Sequence, residues 1–117
     1  MAVASQWDKV LEALESLYVH KGLHPTLAAM RKLVEMVKGD PAFAGIRPRL
    51  SHATLFLAQG DNPRQVCVGW LDGEYEVAIV DPPLEFSEGT RTRKDAVLPI
   101  LRQYFVRLDS EGSRRPG

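Results

Sequence analysis

An Asp-Gly pair set between two β-rich runs constrains this chain more than any other feature. Residues 66–71 read VCVGWL, residues 74–80 read EYEVAIV, and Asp72-Gly73 lies between them. Both central residues of a type I′ turn need positive φ, a conformation that Asp and Gly reach at low cost. A two-residue loop also fixes the register of the strands it joins. Leu71 then faces Glu74, Trp70 faces Tyr75, Val68 faces Val77 and Val66 faces Ile79.

Side chains alternate between the two faces of a strand. One face collects Val66, Val68, Trp70, Tyr75, Val77 and Ile79, all β-branched or aromatic, and is the expected core face. The other collects Cys67, Gly69, Leu71, Glu74, Glu76 and Ala78, small and mildly apolar with two acids near the turn. One-sided patterning of this kind belongs to an antiparallel sheet covered by helices on one side. Asp81-Pro82-Pro83 ends the second strand, because proline lacks the donor that a ladder needs and restricts the residue before it.

Around this hairpin the chain reads as helix, helix, strand, hairpin, helix. Ser5 with Asp8 three residues on is a capping signature, and Trp7, Val10, Leu11, Leu14, Leu17 and Tyr18 follow at helical spacing, which predicts a helix over residues 6–21 with Gly22 as its stop. Pro25 suits the first turn of a second helix, whose apolar stripe is Leu27, Met30, Leu33, Val34 and Val37. So short a link predicts an antiparallel helix pair. Residues 39–51 carry no clear period and are expected to form a long loop pinned by Phe43, Ile46 and Leu50. Residues 53–58 read as a strand, residues 90–92 as a short edge segment, and Asp95 caps a last helix through Leu108. The expectation is an α+β domain of order α-α-β-β-β-α over residues 1–109, in two layers. A three-stranded antiparallel meander packs on helices at one face, and residues 110–117 form a disordered tail.

The 117 residues carry 15 Lys+Arg against 15 Asp+Glu, a balance that argues against a general polyanion binder, whose footprint is net basic. With Cys67 as the only cysteine, no internal disulfide can form, which fits a reducing compartment. The first residues have neither the basic nor the apolar stretch of a signal peptide, and no apolar run reaches the length of a transmembrane helix. The expected location is the cytoplasm, with no membrane partner.

Motifs of chemistry are sparse. His20 and His24 have i,i+4 spacing, but Gly22 and Pro25 break the helix between and after them and no third ligand lies near, so a metal site is not expected. A histidine near a helix C-terminus is the simpler reading. Cys67 sits mid-strand without a histidine at a diagnostic spacing and reads as a small packed residue. Asp81, Glu85 and Glu88 follow the hairpin and read as a solvated acidic connector. Nucleotide, hydrolase, zincin and EF-hand motifs are absent, and no cofactor is expected.

Three functional readings follow. The first is a non-catalytic, protein-binding accessory protein of the immunity, antitoxin, adaptor or client-chaperone kind, bacterial in origin. It acts through the second sheet face (Phe56, Cys67, Leu71, Glu74, Glu76 and Ala78) and adjacent loops, with a homodimer as one option. The competing account of that face is burial under the last helix or a second copy. The second reading is a nucleic-acid-associated regulator using Arg47, Arg49, Arg64, Arg91 and Arg93, against which stands a solvated basic rim. The third is a small enzyme around His52 with Asp81 or Glu85.

Overall fold

Both turn residues of the hairpin adopt positive φ, 51° at Asp72 and 82° at Gly73. The strands on either side pair in the expected register, Leu71↔Glu74, Trp70↔Tyr75, Val68↔Val77 and Val66↔Ile79. The computed structural model describes residues 6–21, 24–51, 54–82, 85–87 and 89–113. Ser5, Gly22, His52, Ala53, Pro83 and Glu88, which have roles in the sequence-based expectations, lie outside the described residues, as do residues 114–117.

Helices α1 (Gln6–Lys21) and α2 (His24–Gly39) come first, followed by a 3-10 turn at Pro41–Phe43. Strands β1 (Ile46–Ser51), β2 (Thr54–Gln59), β3 (Gln65–Leu71), β4 (Glu74–Asp81), β5 (Glu85–Phe86) and β6 (Thr90–Thr92) precede helix α3 (Val97–Ser113). The six strands form one antiparallel sheet of order β1-β2-β3-β4-β5, with β6 also on β4. The class is α+β, as the patterning predicts.

Helices α1 and α2 run antiparallel. Asp8 meets Lys38 at 2.9 Å, and Glu15, two turns along, meets Arg31. Their apolar stripes pack on the inner face of the sheet. Leu14, Met30, Leu33 and Val34 are fully buried in one cluster with Leu55, Leu57, Val66, Val68, Tyr75, Val77 and Ile79. Helix α3 adds Val97, Leu101, Tyr104, Phe105 and Leu108 to the same cluster. Pro99 falls in the first turn of α3, where its missing N–H is not needed. The helix runs to Ser113, past the expected end near Leu108. Burial of each large side chain is worth roughly 1.5–3 kcal/mol, so this inner layer carries the fold.

Polar ties fix the layers. The Tyr75 hydroxyl, buried under α2, donates to the Ala29 carbonyl. Thr90 Oγ1 and the Tyr104 hydroxyl lie 2.6 Å apart and join β6 to α3. Trp70 and Tyr75 pack edge to face across the hairpin with centroids 4.8 Å apart.

The expected three-stranded meander is the centre of a wider sheet. On one side, residues 46–51, expected to be loop, form β1 and pair along their whole length with β2. Ile46, Pro48 and Leu50 turn inward while Arg47 and Arg49 turn out. Proline is tolerated in an edge strand, where its missing donor faces away from the ladder. On the other side β5 and β6 are halves of one edge strand. Val80 pairs with Phe86 and Val77 with Thr90, so the register slips by one residue between them, the signature of a β-bulge.

Candidate functional site

The outer face of the sheet, turned away from the described helices, holds most of the residues that the sequence singled out. Pairing sets them in rows across the strands. Arg49, Phe56, Cys67 and Ala78 make one row, and Gly69, Glu76 and Arg91 the next, with Leu71 and Glu74 at the hairpin end.

This face is less bare than expected. Phe56, Cys67, Ala78 and Val80 form a second apolar cluster, each only 5–7% exposed. The expectation that Phe56, Cys67 and Ala78 stand uncovered is therefore corrected. One cause is β1, the strand that the sequence reading missed: its Arg49 lies opposite Phe56 and lays its guanidinium over the ring, 4.5 Å from the centroid. Leu71, at 48% exposure, does stand open, and Glu76 is exposed beside it.

Between the strands and the bulged edge lies a cavity of about 310 Å³. Cys67, Gly69 and Ala78 are its small-residue contributions, and Phe86, Ser87, Gly89, Glu76 and Thr54 complete its lining. Ser87 is tied down by bonds in both directions to the Ile79 backbone, 2.8 Å from its N–H to the carbonyl and 2.9 Å from the Ile79 N–H to its hydroxyl. Phe86 is 56% exposed. A Cβ at Gly89 would stand 2.9 Å from Glu76 Cγ, so the absence of a side chain there lets the edge approach β4. Phe86 follows a proline-rich stretch that carries no strand signal, and only its pairing with Val80 places it on this face.

The chemistry available in the cavity is that of binding. Burial pushes the Cys67 thiol up to about 11, so at neutral pH it is a protonated, weakly nucleophilic group. Asp81 is held by Arg64, with Nε–Oδ1 at 2.6 Å, and pairs across strands with Glu85. His52 lies outside the described residues, so the structure assembles no His52–Asp81–Glu85 group. His20 lies in α1 and His24 opens α2, so the pair does not share one helix. Among the described residues no three metal-ligating side chains cluster. Comparison with family models, with curated proteins and with solved structures returned no significant match. The site must accordingly be read from its own chemistry.

The five arginines considered for nucleic acid do not converge. Arg47 and Arg49 lie on β1, and Arg91 lies on β6, four strand spacings away or about 19 Å. Arg64 is engaged with Asp81, and Arg91 lies 3.9 Å from Glu76. Arg93 stands in a mixed-charge hollow with Lys94, Asp72, Glu74 and Asp95. No described helix is long and apolar enough to cross a membrane.

Proposed function

We propose that this protein is a non-catalytic binding protein that engages another protein through the outer face of its sheet and the loops that border it. The observation that carries this reading is the cavity beside β4. It brings together small residues, a half-exposed aromatic wall at Phe86 and an acidic rim at Glu76. Concavities of this composition accept a protruding apolar side chain, while the charged rim fixes orientation. The protonated Cys67 and the pairing of Asp81 with Arg64 also favour binding over catalysis.

The flat part of the face spans roughly 20 Å by 20 Å from strand spacing and rise, about half of a standard interface side. The hairpin end, with Leu71 and Glu74, and the bulged edge supply the rest. Glu74 and Glu76 suit a partner with a basic rim around its apolar knob. Immunity proteins, antitoxins, adaptors and single-client chaperones are the classes of accessory protein that this reading covers, and a second copy of the chain is one possible occupant.

The test is affinity capture from a lysate of the native host, comparing the wild type with Gly69→Trp and Phe86→Asp. A Cβ at Gly69 meets nothing within 4 Å, so the new ring fills the cavity while β-structure is kept. A specific partner retained by the wild type and lost from both variants supports the reading. Equal capture by folded variants counts against it.

A further inference from the structure

A second concavity lies where α1 packs along the β1 edge. It measures about 470 Å³ and is open to solvent along one side. Lys9 of α1 and Arg47 and Arg49 of β1 line it together with Val10, Pro48 and Leu50, and no acidic residue is among its lining. In a chain with equal numbers of acids and bases, three cations around one groove with no acid is a local excess.

The arginines differ from most others in how they are held. Arg31, Arg64, Arg91 and Arg102 each sit beside a carboxylate. Arg47 instead donates to the Gly60 carbonyl at 2.6 Å, and Arg49 rests on the Phe56 ring. Both guanidinium groups are thus positioned while their charge is left uncompensated among the described residues. Prior positioning lowers the entropy cost of taking up a ligand, and guanidinium geometry matches carboxylate.

We propose that this groove binds an acidic segment of a protein partner laid across the β1 edge, its carboxylates meeting Lys9 from the helix side and Arg47 and Arg49 from the outer side of β1, with an intervening apolar side chain over the half-buried Leu50. The proposal rests on the reading of the chain as a protein-binding module, and it uses a surface distinct from the cavity beside β4. Three cations astride an edge that leaves Leu50 half-buried match a segment with acids on either side of an aliphatic residue. A nucleic acid strand would need exposed aromatic rings, and no aromatic residue is among the lining of the groove. A free small anion would be poorly enclosed by a groove open along one side. The segment docks by its side chains, since Pro48 breaks the run of donors that an added strand would need.

The probe is a fluorescein-labelled Glu-Glu-Leu-Glu-Glu peptide titrated with the full chain and followed by anisotropy. Saturable binding is expected to weaken steeply from about 50 mM to about 300 mM salt. It is expected to fall about tenfold in an Arg47→Gln/Arg49→Gln variant and a few-fold in Lys9→Gln, with circular dichroism unchanged. Gly69→Trp, which blocks only the cavity beside β4, should bind the peptide as the wild type does, so failure of one surface is told apart from failure of the other. Absence of saturable binding, indifference to the arginine substitutions, equal binding of a Lys-Lys-Leu-Lys-Lys peptide, or displacement by an oligothymidylate of the same charge would each overturn the proposal.

Discussion

The two faces of this sheet are made by the same strands, yet they solve different problems. Inward, Leu55, Leu57, Val66, Val68, Tyr75, Val77 and Ile79 are completely buried beneath three helices. Outward, Phe56, Cys67, Ala78 and Val80 make a cluster of their own, with an arginine stacked on Phe56. The inner face has volume and helices above it. The outer face keeps its residues small and leaves a cavity beside the bulged edge. The difference teaches that low exposure alone does not make a core: what matters is how many packed atoms are lost when a side chain is cut back.

The sharpest way to break this comparison is a matched pair of truncations on β2. Leu57→Ala is expected to cost about 3 kcal/mol, because a cavity opens among α1, α2 and the sheet, whereas Phe56→Ala should cost about half as much. Urea unfolding followed by circular dichroism measures both. Equal costs would make the outer cluster a second core.

Alkaline titration probes one group on each face. Burial raises the Cys67 thiol from 9.0 to about 11 and the Tyr75 phenol from 10.0 to about 12. Both groups keep their proton longer when folded. Their stabilising contribution is therefore complete below the unfolded value and is lost as pH rises through the folded one. A fall of up to about 3 kcal/mol for each group is expected. Cys67→Ala should flatten the profile between about pH 9 and 11, and Tyr75→Phe between about pH 10 and 12. A profile unchanged by Cys67→Ala would mean that the thiol on the outer face is solvated.

At neutral pH, Tyr75→Phe isolates the bond to the Ala29 carbonyl and should cost about 1 kcal/mol, since that oxygen belongs to a helix and keeps its own backbone partner. The smallest effect concerns neither face. Asp40 accepts from the Ala42 N–H and from Arg102, and these bonds hold its carboxyl below the usual range. Asp40→Asn should lower the melting temperature slightly at pH 7. Because the native pKa is depressed, the difference from the wild type should vanish as pH falls through the carboxylate range.

How much was legible varied with how local the signal was. The Asp72-Gly73 turn, the register of β3 and β4, the three helices and the short strand at residues 90–92 all rest on interactions close in sequence. Strand β1 was missed although Ile46, Pro48 and Leu50 do alternate with Arg47 and Arg49, because a proline argues against a strand unless the strand is known to be an edge. That one omission carried over to the outer face. Without β1, nothing placed Arg49 on Phe56, and Phe56 looked bare. Lys9 could not be joined to Arg47 and Arg49 for the same reason, since α1 meets β1 only in the folded chain.

The sequence by itself determined the inner face, because a two-residue turn sets register and period-2 alternation then sorts every side chain by side. Only the tertiary structure decided what the outer face became. The strand order, the bulge at the β4 edge and the approach of α1 to β1 join residues far apart in the chain, and pairings of that kind leave no periodic trace in the order of the amino acids.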